Sequence, residues 1–253
     1  MKSAYPENFN SEQLVKLWAD FIDWGKRRAG EGGFLIRTLK KHGCTKVLDG
    51  ALGDGCDSIY LLKEGFDVTS NEFDEEFIRK ALLNSKMQKV RLELTRLDWR
   101  EMGENLPRAS FDAVLVLGNS LTYLFSKKDQ LRALANFRAI LKKGGILIID
   151  ERNYDYILRN REEILKGDFK YSGRAVYCGK KVHARPILIS DNKVKMRYEH
   201  ENGSVGHLTM YPFKKGELRG LLKEGGFRVL EEYLDYGRGI RGNADFYTYV
   251  ART

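Results

Sequence analysis

The chain has 253 residues, 42% hydrophobic and 31% charged, a balance that excludes a disordered polymer and leaves ample length to bury a core. Its net charge of +9 comes as short groups such as Lys127-Lys128 and Lys180-Lys181 among 35 acids, which argues for a solvated basic surface and against a nucleic-acid partner. No apolar run nears the ~18 residues of a membrane span; with no apolar leader at Met1–Asn8 and only Cys44, Cys56 and Cys178, without a Cys-x-x-Cys, a cytoplasmic setting and no membrane partner are expected.

Residues 11–42 show helical spacing, with Leu14, Leu17, Trp18, Phe21 and Ile22 on one stripe. Gly30 to Gly33 interrupts it, and a second helix is expected over Phe34 to His42. Strand-like runs follow near 46–49, 67–71, 90–97, 112–117 and 145–150. Helical stretches separate them, most clearly Asp129 to Leu141, closed by Lys142-Lys143-Gly144-Gly145. This alternation predicts a Rossmann-like α/β fold, a parallel sheet with helices on both faces.

After Leu158 the texture changes to short runs at 171–178, 182–190, 193–201 and 205–211. Turn clusters divide them, and Asn202-Gly203 between two such runs is a hairpin signal. An antiparallel insertion over about 159–214 is expected to cap the carboxyl edge of the sheet. A helix from Lys214 to Lys223 and strands at 227–235 and 245–251 then return to the main sheet. With no linker-like tract, residues 1–253 read as a single domain whose first 42 residues form a helical lid.

The most informative stretch is Val47-Leu48-Asp49-Gly50-Ala51-Leu52-Gly53-Asp54-Gly55, an apolar strand that delivers an acid and then Gly-x-Gly. A strand, a glycine turn and a helix bring bare backbone to the edge of a nucleotide-like ligand. Glu72 follows 23 residues after Asp49, at the tip of the next strand, where an acid accepts hydrogen bonds from ribose hydroxyls. Ser58 stands where a dinucleotide fingerprint has its third glycine, and no phosphate-cradling Gly-x-x-x-x-Gly-Lys-Ser/Thr occurs. The pattern suits a ligand with ribose, adenine and a zwitterionic tail, for which S-adenosylmethionine is the candidate. No metal site is expected, since His42, His183, His200 and His207 lack ligand spacing with the cysteines or acids.

Four further segments carry a resemblance: Leu97-Asp98-Trp99, Leu117-Gly118-Asn119-Ser120, Arg152-Asn153-Tyr154-Asp155-Tyr156-Ile157-Leu158 and His207-Leu208-Thr209-Met210-Tyr211-Pro212. With the glycine turn they resemble glycine N-methyltransferases, most closely the microbial glycine/sarcosine N-methyltransferases, from about Trp18 to the end. The resemblance implies a class I S-adenosylmethionine-dependent methyltransferase sheet with an inserted antiparallel β cap. It implies methylation of glycine to sarcosine and, as an open further step, of sarcosine to dimethylglycine.

For the cofactor it implies Trp18, Arg28 (on the methionine carboxylate), Ala51 and Gly53 in the turn, Glu72 on the ribose, Asp98 at the adenine amine with Trp99 beside it, and Leu117. For the reaction it implies Asn119 and Arg152 as the pair orienting the amino-acid substrate, with Tyr177 and Tyr198 lining the same site. The chain departs from the family in placing Asp54 in the cofactor turn and a glutamate, Glu72, on the ribose. It also has Met210 where the liver-type enzyme has tyrosine, as in the microbial branch, and Phe9 about where a tyrosine is expected. A shorter N-terminal arm leaves the liver-type tetramer unsupported and a homo-oligomer open. Another small carboxylated amine, an RNA, or a non-catalytic cofactor-binding role remain the alternatives.

Methyl transfer from a sulfonium to an amine is an in-line displacement with little proton chemistry. Its demands are alignment of the reactants and exclusion of water. An arginine fork fixes both the charge and the direction of a substrate carboxylate, so no catalytic base is required.

Overall fold

The computed structural model describes residues 11–168, 181–237 and 244–253. Helices α1 (Ser11–Phe21), α2 (Trp24–Glu31) and α3 (Phe34–Lys41) precede β1 (Lys46–Asp49). Then come α4 (Cys56–Lys63), β2 (Asp67–Asn71), α5 (Glu75–Met87), β3 (Glu93–Thr95), α6 (Met102–Asn105), β4 (Phe111–Val116), α7 (Lys127–Ile140) and β5 (Leu141–Arg152). Beyond α8 (Tyr154–Arg159) lie β6 (Val182–Ser190), β7 (Lys193–His200) and β8 (Val205–Met210), a helix over Glu217–Glu224, β9 (Arg228–Leu234) and β10 (Phe246–Arg252). The main sheet has seven strands in the order β3-β2-β1-β4-β5-β10-β9. Strands β1 to β5 pair in parallel, and β10 is antiparallel to both its neighbours. The Rossmann-like expectation holds.

Apolar runs make this sheet because both of its faces are covered. Val47, Ala113, Leu115, Ile146 and Ile148 pack with Phe34, Leu35 and Leu39 of α3 and Leu61 of α4. Their neighbours Leu48, Val114, Val116, Leu147 and Ile149 pack on the other side with Leu134, Phe137 and Ile140 of α7 and with Leu218 and Leu222. Phe137 is wholly buried and meets Trp99 edge-on at 5.9 Å. Phe137→Ala is expected to cost about 3–5 kcal/mol, checked by the shift in the urea midpoint at unchanged slope.

Two boundaries differ from the sequence pattern. The first helical stretch breaks at Ile22-Asp23, because the Asp23 carboxylate caps α2 by accepting the Lys26 N–H at 3.0 Å. Strand β5 runs on to Arg152 rather than stopping near residue 150, because β10 pairs with it as far as Phe246 opposite Arg152. That extension carries Arg152 to the edge where the candidate site lies.

The cap is a second, three-stranded antiparallel sheet in the order β6-β7-β8. Its buried residues Val194, Met196, Tyr198, Leu208 and Met210 pack on Leu14, Leu17 and Phe21 of α1 and on Tyr154 and Ile157 of α8. Gly206 permits this approach, since a Cβ there would stand 2.7 Å from Leu17 Cδ1. The strand expected over 171–178 lies outside the described residues.

Candidate active site

The sheet order reverses beside β1, with β2 on one side and β4 on the other. Ligands bind outside the carboxyl ends of strands at such a point. A cavity opens there among the described residues, walled by the turn Gly50–Asp54, the tips of β2 and β4, the segment Leu97–Trp99, and Trp18, Trp24 and Arg27 from the N-terminal helices.

The turn is built around β1. Asp49 is buried, and its carboxylate accepts the Ser58 hydroxyl at 2.7 Å and the Ala51 N–H at 3.3 Å. Ser58 Oγ also lies 2.8 Å from Ser70 Oγ. The serine in place of a third glycine therefore laces β1, α4 and β2 together. Gly55 adopts φ +86°, and a Cβ on it would meet Ala81 of α5 at 3.0 Å, so glycine is required on both counts.

Glu72 leaves the tip of β2 facing the cavity. One carboxylate oxygen accepts the Gly53 N–H at 2.9 Å; the other accepts those of Phe73 and Asp74 at 2.9 and 3.0 Å. Three donors leave one of a carboxylate's roughly four lone-pair sites, on the oxygen that accepts from Gly53, as acceptor capacity for a ribose hydroxyl. Burial pushes its pKa up to about 7, against the pull of the backbone donors.

At the far wall, the Asp98 carboxylate is held by the Arg100 guanidinium, with Nε at 2.9 and 3.1 Å, which keeps it below the usual carboxylate range. The Trp99 indole N–H donates to Gly50 O at 2.7 Å, locking the ring against the turn. Asn71 clasps this wall, accepting the Leu97 N–H at 2.9 Å and donating to Leu97 O at 3.0 Å. Leu117 and Phe73 add apolar surface.

The opposite end is a charged cluster on α2. Arg27, not Arg28, lines this cavity. Arg27 Nε donates to Glu31 at 2.9 Å and its terminal nitrogen to the Tyr236 hydroxyl at 3.2 Å, with Asp57 at 3.8 Å. Arg28 turns into a neighbouring hollow, 4.5 Å over the Tyr60 ring, bound to Glu31 at 2.7 Å and to Asp57. Consecutive helical residues point about 100° apart, so only one of the two arginines faces the sheet. The phase is set by the Asp23 cap, which the run Lys26-Arg27-Arg28 does not reveal. Trp24, a second residue the sequence did not single out, lines the cavity and donates its indole N–H to Asp54 at 2.8 Å.

Seven of the expected cofactor residues, Trp18, Ala51, Gly53, Glu72, Asp98, Trp99 and Leu117, thus line one cavity. The expected substrate residues lie elsewhere. Asn119, at φ +66°, is buried. Its side-chain oxygen accepts the Arg152 N–H at 3.0 Å, and its amide donates to Tyr154 Oη at 2.7 Å and Thr122 Oγ1 at 3.2 Å. Asn119 and Arg152 are therefore brought together, but neither lines that cavity. The Arg152 guanidinium sits 5.4 Å over the Phe246 ring. Tyr198 is packed in the cap core, edge-on to Phe21 at 5.0 Å, because alternate residues of β7 face α1. Tyr177 lies outside the described residues. Tyr123 was missed by the sequence; it lines the cavity, and burial followed by the neighbouring Tyr154 raises its pKa above the ordinary phenol value.

Buried acids around the site make stability depend on pH. Burial is the largest cause in each: Asp49 and Glu72 are pushed up to about 7, Asp150 to about 6 and Glu151 to about 8. The unfolded chain loses these protons near pH 4 to 4.5, so between about pH 5 and 8 the folded state binds more protons and stability falls as pH rises. Against its burial, Glu231 is held at about 2 by Lys41, Tyr233 and His42, and that contribution is lost as pH falls through its folded value. The ligand-free chain is expected to melt highest near pH 5 and several degrees lower at pH 8, as scanning calorimetry across that range would show.

Among the described residues no group of histidine, cysteine and acid side chains could hold a metal ion, and no helix is long and apolar enough to cross a membrane. Residues 47–145 match a family described as "Methyltransferase domain". The chain is 40% identical over 240 residues to a glycine/sarcosine N-methyltransferase of Parasynechococcus marenigrum, covering 95% of this chain and 83% of that protein. It is 40% identical over 251 residues to the glycine/sarcosine N-methyltransferase of Aphanothece halophytica, covering 99% and 92%. Its fold matches the crystal structure of an S-adenosylmethionine-dependent methyltransferase from Clostridium acetobutylicum with a TM-score of 0.71 at 19% identity, over 88% of this chain and 91% of that one.

Proposed function

This chain belongs to the glycine/sarcosine N-methyltransferase family, and on that premise we propose that it transfers the methyl group of S-adenosylmethionine to the amine of glycine and of sarcosine. The observation that carries this reading is the Glu72 carboxylate, fixed at the tip of β2 by three backbone N–H groups with one lone-pair site left at the cavity. An acid so held suits a ribose hydroxyl. The residues around it fit the rest of the molecule: Asp98 would accept from the adenine amine, Trp99, Phe73 and Leu117 would cover the base, and Arg27 would meet the methionyl carboxylate.

S-adenosylmethionine supplies an electrophilic methyl on a positively charged sulfur. What the protein adds is position and dryness. Arg152 takes the substrate carboxylate, and Asn119, through its bond to the Arg152 backbone, sets the arginine's place at the end of β5. Trp18 and Tyr123 line the cavity and give it apolar ring surface that disfavours water. The amine reacts as the free base and loses its proton to solvent after transfer, so the chain needs no general base.

A small amino acid as partner and a cytoplasmic setting belong to the same proposal. Cys44 and Cys56 are free, and burial pushes the Cys44 thiol up to about 11, as suits inert cysteines in a reducing compartment. The test is methyl transfer from labelled S-adenosylmethionine to glycine, sarcosine, dimethylglycine, other amino acids and bulk RNA. Label is expected in sarcosine and dimethylglycine and absent from RNA; label in RNA with none in any amino acid overturns the reading.

A further inference from the structure

Asp54 stands in the cofactor turn, 5% exposed, and lines the cavity beside Trp24 and Arg27. Neutral groups hold its carboxylate: the Trp24 indole N–H at 2.8 Å and the Cys56 N–H at 3.4 Å. Among the described residues it enters no ion pair, whereas Arg27 and Arg28 are both turned to Glu31 and Asp57. Around this end of the cavity two guanidiniums therefore stand against three carboxylates, and of these Arg27, Asp54 and Asp57 line the cavity itself. A buried carboxylate without a counter-ion is costly, and a cation delivered by a ligand removes that cost.

The ligands of the two half-reactions differ in charge. S-adenosylmethionine carries a sulfonium and an ammonium against one carboxylate, one positive charge overall. The demethylated thioether product has lost the sulfonium charge and is neutral overall. We propose that Asp54 is a cofactor-binding residue whose charge makes this cavity prefer the sulfonium form over the thioether product, so that fresh cofactor displaces product more readily than it would at a neutral turn. The proposal rests on the cofactor reading given above and concerns selectivity within that site.

Isothermal calorimetry with S-adenosylmethionine and with S-adenosylhomocysteine tests it without turnover. Asp54→Asn removes the charge and keeps an oxygen for the Trp24 N–H. The ratio of product Kd to cofactor Kd is expected to fall about tenfold in this variant, mainly through weaker binding of the sulfonium form. Trp24→Phe, which keeps the carboxylate and removes a neutral donor, is expected to weaken both ligands together and leave the ratio at its wild-type value. An unchanged ratio in folded Asp54→Asn overturns the proposal while leaving the cofactor reading intact. Failure of the wild-type chain to bind S-adenosylmethionine overturns the cofactor reading itself, and the proposal with it. If the amide variant does not fold, Asp54→Thr carries the same comparison with the same outcomes.

Discussion

Glu72→Ala is expected to weaken S-adenosylmethionine binding by about 10- to 100-fold, as measured by calorimetry, the loss of a hydrogen bond to a charged acceptor at roughly 1.5–3 kcal/mol. The effect has a second source in the fold. The same carboxylate gathers the N–H groups of Gly53, Phe73 and Asp74, so its removal also frees the glycine turn that the ligand must touch. Glu72→Gln helps separate the two contributions, because its amide oxygen still accepts the Phe73 and Asp74 N–H groups while its NH2 group faces the Gly53 N–H and the charge is gone. The glutamine variant is expected to melt below wild type but above the alanine variant and to bind about tenfold more weakly. Wild-type affinity in the alanine variant would reduce Glu72 to a fastener of the β2 tip.

Arg152→Ala is expected to lower kcat/KM for glycine by about 1000-fold while leaving S-adenosylmethionine affinity within about twofold. The asymmetry follows from position. Arg152 lies at the end of β5, with its backbone N–H bonded to Asn119 and its guanidinium over Phe246, outside the lining of the cavity proposed for the cofactor. A loss of cofactor affinity as large as the loss of turnover would show instead that the side chain supports the sheet end as a whole. Arg152→Lys sharpens the test, since a point charge restores attraction for a carboxylate without the two-pronged direction of a guanidinium. Partial recovery of KM with kcat still depressed is the expected signature.

The two arginines of α2 and the tyrosine of the cap show where sequence reasoning stops. Arg27 and Arg28 are neighbours of identical chemistry, and only the helix phase decides that Arg27 reaches the proposed cofactor cavity while Arg28 lies over Tyr60. Tyr198 carries a phenol that could face a ligand, yet the pleat of β7 turns it toward Phe21 and Trp18. Asn119 stands in a specific motif, but its amide is engaged by Tyr154 and Thr122 and its oxygen by the Arg152 N–H. Such commitments join residues far apart in the chain, and no local pattern records them.

What the sequence determined by itself was everything that follows from period and punctuation. Apolar runs alternating with amphipathic helices dictate a sheet covered on both faces. The acid-and-glycine turn after β1 and the acid at the tip of β2 place the proposed ribose site at the strand ends, because strand tips are fixed in space once the sheet exists. The tertiary structure alone decided which side chains meet. It set Trp24 against Asp54 across 30 residues of chain, joined Glu72 to the glycine turn, and extended β5 to Arg152 by pairing it with β10. Side-chain direction depends on helix phase, strand pleat and long-range hydrogen bonds, which arise only when separate elements pack, whereas the order of the elements is written in local propensity.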